Sequence, residues 1–64
     1  MTYYQAYAWN GTSYRPISVP KKNKKRAYNE ALVICKSPYP ESEVEMSVCQ
    51  HWKDKEILIK EVNL

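Results

Sequence analysis

Phenylalanine is missing from this 64-residue chain, and glycine and histidine occur only once each. With Gly11 as the sole glycine, no loop can wrap several backbone N–H groups around a phosphate as glycine-rich nucleotide loops do. Gly11 follows Asn10 and belongs to a turn. The potential metal ligands are as scarce: His51, Cys35 and Cys49. A structural zinc site takes four ligands and usually starts from a Cys-x2-4-Cys knuckle, which is missing. No metal and no cofactor are expected. Apolar runs long enough to span a bilayer, about 20 residues, are also lacking, and no membrane partner is expected. A chain this short makes one domain, residues 1–64, and buries only about 60% of the surface its unfolded form exposes. Four prolines against one glycine, with an ordinary apolar share, argue against disorder.

Acidic residues are nearly absent from the first half. Residues 1–36 carry seven basic side chains against Glu30 alone, a net of +6, whereas residues 37–64 carry Lys53, Lys55 and Lys60 against six acids, a net of −3. Five of the ten basic residues fall within Lys21-Lys22-Asn23-Lys24-Lys25-Arg26, where the only helix is expected to begin. A helix N-terminus carries roughly half a positive charge, so lysines there oppose the helix by up to about 1 kcal/mol each. A basic run in an unfavourable place points to an anionic ligand or an acidic partner.

Thr2–Val19 reads as a hairpin, because Tyr3, Tyr4, Tyr7, Trp9 and Tyr14 favour strands and Asn10-Gly11 is a strong hairpin-turn signal. A two-residue turn would set Trp9 opposite Thr12 and Tyr7 opposite Tyr14. One face then carries Tyr3, Tyr7, Trp9 and Tyr14. The other carries Tyr4, Ala6, Ala8, Ser13, Arg15 and Ile17, and its two alanines suit a helix lying close. Pro16 and Pro20 confine the second strand to an edge. A helix follows from Asn23 or Lys24 to Lys36, with Asn23 as N-cap and an apolar stripe of Ala27, Tyr28, Ala31, Leu32 and Cys35. Ser37-Pro38-Tyr39-Pro40 ends it. Val44, Met46 and Val48 alternate with Glu43, Glu45, Ser47 and Cys49, which reads as a third strand turning near Lys53-Asp54 into a fourth, Ile57–Val62. The expected fold class is α+β: ββαββ, a four-stranded, mostly antiparallel sheet with one helix on a face.

Candidate chemistry is thin. Cys49 and His51 form a Cys-x-His pair that Cys35 could approach, yet residues two apart on a strand need not touch, and free cysteines mostly just pack. Glu43 and Glu45 on one strand face would stand about 7 Å apart, but a solvated, charge-protected strand explains them better than acid–base chemistry. The expectation is a non-enzymatic protein. Its eight aromatics are all Tyr or Trp, and five lie in the first fourteen residues. Such side chains suit half-exposed contact surfaces. The candidate binding residues are therefore Lys21, Lys22, Lys24, Lys25 and Arg26 with Tyr3, Tyr7, Trp9 and Tyr14.

Two uses of that set compete. In the first, the chain is a protein-binding module whose Tyr/Trp patch anchors a partner with an acidic or nucleic-acid-binding surface, guided by the basic run. With Thr2–Val19 as hairpin, Asn23–Lys36 as helix and Glu43–Val62 as hairpin, the layout resembles small phage- or mobile-element-encoded proteins, among them anti-CRISPR inhibitors. That resemblance implies an inhibitor or modulator docking on a nucleic-acid-handling assembly. In the second use the chain binds nucleic acid directly, its lysines tracking phosphates and its aromatics stacking bases. The Tyr-rich hairpin with its Asn-Gly turn and Lys-rich helix start is similar to the sheet-reading arm domains of tyrosine recombinases. A third reading leaves the lysines as a solubilising helix end. An exposed edge strand could also pair two copies into a homodimer. The opening Met1-Thr2-Tyr3-Tyr4-Gln5 lacks a signal-peptide pattern, so the expected location is the cytoplasm, that of the host if phage-encoded, with both cysteines reduced.

Overall fold

The first strand, β1 (Thr2–Trp9), lies at the centre of the sheet. A computed structural model describes all 64 residues, Met1–Leu64. β2 (Tyr14–Pro16) and β3 (Leu58–Asn63) flank β1, both antiparallel, in the order β2-β1-β3. β3 pairs along nearly all of β1, from Thr2 opposite Asn63 to Tyr7 opposite Leu58. The chain ends are tied as well, since Leu64 N–H donates to the Met1 carbonyl at 3.1 Å.

The hairpin from β1 to β2 turns through four residues, not two. A two-residue type I′ turn needs positive φ at both central positions, and only Gly11, at φ 102°, adopts it. Asn10 stays at negative φ and works through its side chain: Oδ1 accepts hydrogen bonds from the backbone N–H of Thr12 and Ser13 at 2.9 and 2.8 Å. Trp9 therefore faces Tyr14, and Tyr7 faces Pro16. The pairing is shifted by two positions from the two-residue expectation. Because side chains alternate with period two, such a shift leaves every residue on its expected face.

Beyond Pro16 the strand bulges. Ile17 N–H still donates to the Ala6 carbonyl, but the Ala6 N–H is met by the Ser18 hydroxyl at 2.9 Å instead of a backbone carbonyl. Pairing resumes at Lys21, which exchanges two backbone hydrogen bonds with Tyr4. Prolines at 16 and 20 hold this segment to the sheet edge, as expected from their missing N–H groups.

Helix α1 spans Lys24–Cys35, and Asn23 Oδ1 accepts the Arg26 N–H at 2.8 Å as its N-cap. It lies across the Ala6/Ala8 face. Ala27, Ala31 and Cys35, at i, i+4 and i+8, are buried against those alanines. Two of the expected stripe residues fall to its margin: Leu32 is half-buried and Tyr28 exposed. Small side chains on both partners let helix and sheet approach closely, so the largest fully buried side chain in the protein is only a valine, Val48.

Val48 comes from the segment where the expectation fails. Glu43–His51 is a second helix, α2, continued by one 3-10 turn at Trp52–Asp54. The fold is a three-stranded antiparallel sheet with two helices, not the four-stranded ββαββ arrangement with one. The physical reason lies in Ser42-Glu43-Val44-Glu45. Ser42 Oγ accepts the Glu45 N–H at 3.2 Å, and Glu43 and Glu45 face the positive helix start they favour. The Val44/Met46/Val48 alternation misleads because it does not mark a buried face: Val48 alone is buried, while Val44 and Met46 are exposed. Glu43 and Glu45 accordingly sit in a helix's first turn and not on a strand face. Of the three segments that carry the anti-CRISPR-like layout, the first hairpin and the helix are present and the second hairpin is not.

Candidate binding face

Paired residues on antiparallel strands project to the same side, so the register defines what the helix-free face displays. β1 contributes Tyr3, Gln5, Tyr7 and Trp9; β3 sets Val62, Lys60 and Leu58 beside the first three of these, and β2 sets Tyr14 beside Trp9. All four candidate aromatics, Tyr3, Tyr7, Trp9 and Tyr14, share this face, each half-buried. Trp9 and Tyr14 meet edge to face with ring centroids 5.2 Å apart. That geometry matches the aromatic quadrupole and holds both rings upright on an otherwise bare sheet.

Two lysines complete the face. Lys60 Nζ lies 4.6 Å from the Tyr7 ring centroid, and Lys55 Nζ lies 4.3 Å from that of Trp9. No acidic residue occupies the paired positions of this face; Glu61 pairs with Tyr4 and so projects to the opposite one. Lys55 and Lys60 were not among the candidates, because they come from the half of the sequence with net negative charge. The signal was nonetheless present: Lys60 alternates in phase with Leu58 and Val62, and becomes meaningful once β3 is placed against β1.

No side chain of the basic run lies over a ring of this face. Lys21 contacts Glu30 Oε2 at 3.3 Å, an ion contact without the alignment of a hydrogen bond. Lys24 Nζ sits 5.7 Å from the ring of Tyr4, a residue of the helix-covered side. Lys22, Lys24, Lys25 and Arg26 are all exposed. The α1 start carries no compensating acid in its first turn.

At the margin between the two regions lies an open cleft of about 470 Å³, lined by Tyr28 of α1 and by Trp52, Lys53, Lys55, Glu56 and Ile57. Lys53 Nζ lies 5.6 Å from the Trp52 ring centroid. Trp52 and Ile57 also pack against the core, which fixes the cleft's inner wall.

The remaining candidate chemistry does not converge. His51 packs against the turn, its ring carbons and nitrogen 3.1–3.3 Å from where a Cβ on Gly11 would lie, and its Nδ1 is 3.4 Å from Asp54. The Cys49 thiol instead donates to the Ile34 carbonyl at 3.0 Å. Burial, and then the proximity of Cys49, push the Cys35 thiol up to about 11. Burial and Glu45 raise that of Cys49 as well. Both groups are held as neutral thiols, the unreactive form. No three His, Cys, Asp or Glu side chains gather where they could hold a metal ion. No helix is long and apolar enough to cross a membrane. No protein-family model, curated protein or solved structure matches the chain.

Proposed function

We propose that this protein is a non-catalytic binding module that takes single-stranded nucleic acid on its helix-free sheet face. One observation carries the reading: four aromatic rings and two lysines share that face, with no acid among its paired positions. Stacking platforms for bases beside cations for phosphates are what sequence-tolerant single-strand binding requires. The identity of the cations matters too. Protein interfaces are depleted in lysine and enriched in arginine, and both cations that lie over rings of this face are lysines. Lys24 and Lys25 add positive potential nearby, which steers a polyanion toward the module.

A protein partner is the second reading, favoured by the Trp9–Tyr14 pair, since half-buried Trp and Tyr are typical interface anchors. Under it the chain docks on an acidic patch of a nucleic-acid-handling assembly.

The deciding experiment is binding of the purified protein to labelled single- and double-stranded DNA and RNA across a salt series. The expected result is preferential single-strand binding that weakens steeply with salt, about −0.7 in log–log slope per phosphate contact. Lys55→Ala with Lys60→Ala should flatten that slope by roughly 1.4. Absence of binding at low salt, or binding indifferent to the double substitution, would transfer the proposal to the protein partner.

A further inference from the structure

The sheet face and the basic helix start are joined through the cleft. Lys55 belongs to both regions, lining the cleft while its ammonium lies over Trp9 of the sheet. On the other side Tyr28 lines the cleft, and Lys24 and Lys25 precede it by four and three positions on α1, the spacing of side chains that stand together on a helix surface. The path therefore runs from the α1 lysines to Tyr28 and Trp52, across Lys55, and on to Trp9 and Tyr14.

From this arrangement we infer that the Tyr28/Trp52 cleft receives one splayed-out base of the same single strand that the sheet face binds. The inference rests on the nucleic-acid reading above. The cleft volume lies within the range of about 300–1,000 Å³ usual for small-molecule sites. Tyr28 and Trp52 present two aromatic surfaces, one exposed and one braced by the core. Lys53 and Lys55 flank them and suit the phosphates on either side of the base. Glu56, the single acid of the lining, has the wrong sign for a phosphate, but its carboxylate can accept a hydrogen bond from a base-edge N–H.

The protein has only two tryptophans, one on the sheet and one in the cleft, so fluorescence separates the two sites. In a Trp9→Phe protein all tryptophan emission comes from Trp52; in a Trp52→Phe protein all comes from Trp9. Each is titrated with oligothymidylate of about 12 nucleotides, inside the ~4–16 nucleotide range of single-strand sites, while anisotropy of a labelled oligomer reports binding itself. The expected result is quenching of Trp52 emission in step with binding, and affinity about tenfold weaker in Tyr28→Ala. Tyr28 is 42% exposed, so that variant should stay folded, which circular dichroism checks. Quenching of Trp9 alone, with Tyr28→Ala binding like the parent, would overturn the cleft assignment and leave the sheet-face reading standing. No oligomer binding by the unmodified protein would overturn both.

Discussion

Ala8 and Trp9 are neighbours on β1, yet they meet opposite worlds. Ala8 is fully buried under α1, while Trp9 stands half-exposed on the bare face with Tyr14 and Lys55. Repeated along the strand, the contrast sets Ala6 and Ala8 against Tyr3, Tyr7 and Trp9. Alanine is among the residues most often fully buried, and Trp and Tyr are seldom so. Here the covered face meets the helix through methyl groups, with half-buried Tyr4 packed beside them, and the other four rings of the hairpin lie on the open side. The two faces divide the labour: one holds the fold, and the other is free to bind.

The same substitution at both positions is the strongest way to break that comparison. Ala8→Leu forces three extra carbons between β1 and α1, and overpacking of this kind costs about 1–3 kcal/mol. The total stability of a domain this thin lies near the low end of about 5–15 kcal/mol, so the loss is severe. Trp9→Leu should stay within about 1 kcal/mol, the span of strand propensities, while weakening oligonucleotide binding. Urea unfolding of both variants tests the claim; equal losses would mean that the faces are not different in kind.

How much of this contrast was legible in the sequence depended on whether a local signal agreed with the tertiary one. Which residues share a face was readable because alternation fixes sidedness whatever the turn length, but which of the two faces α1 covers was not. Asn23 was readable as a cap because an Asn before a helical stripe has few other uses. The second helix is hidden because Val44, Met46 and Val48 alternate like a strand, while the competing signal, the Ser42–Glu45 capping pattern, is short. Taking α2 for a strand adds a fourth strand to the sheet and gives β3 a false partner, which hides its pairing with β1. Lys55 and Lys60 became part of the site only when β3 came to lie beside β1, from the far end of the chain. Long-range pairing of that sort leaves no local trace. Tyr28 and Trp52 were invisible as a pair for the same reason.

Val48 sharpens the comparison at the next level. It is the one fully buried large side chain, supplied by α2. Val48→Ala removes two methyl groups, about 0.8 kcal/mol each, and leaves a cavity, for a total of roughly 2 kcal/mol. Val62→Ala on the open face should cost less than half of that, since Val62 is already half-exposed beside Tyr3. Thermal melts that rank the two in the reverse order would move the core to the wrong side of the sheet.

The covered face also has a pH signature. Burial and then Cys49 raise the Cys35 thiol from 9.0 to about 11, so the folded state holds its proton longer than the unfolded state does. Stability from this source is fully present below pH 9 and is lost as pH rises towards about 11. The decline is at most about 1.4 kcal/mol per pH unit. Measured as the difference between the parent and Cys35→Ala, the decline should be absent below pH 9 and grow from there towards about 11. A flat difference up to pH 11 would place Cys35 in contact with water.

The smallest expected effect on stability tests why the lysines of α1 are where they are. The two helix starts are treated in opposite ways: Glu43 and Glu45 favour the α2 N-terminus, whereas α1 has Lys24, Lys25 and Arg26 and no acid in its first turn. Lys24→Ala with Lys25→Ala removes charges that oppose the helix dipole and adds the best helix former. The double variant should be as stable as the parent or more stable by up to about 1 kcal/mol. If these lysines serve a polyanion, the same change should weaken oligonucleotide binding and flatten its salt dependence by roughly 1.4 in slope. A gain in stability coupled to a loss in binding is the pattern of residues kept for function against the interest of the fold. Unchanged binding would reduce the run to a solvated helix end. Unfolding would mean that the helix start depends on Lys24 over Tyr4 more than on its own N-cap.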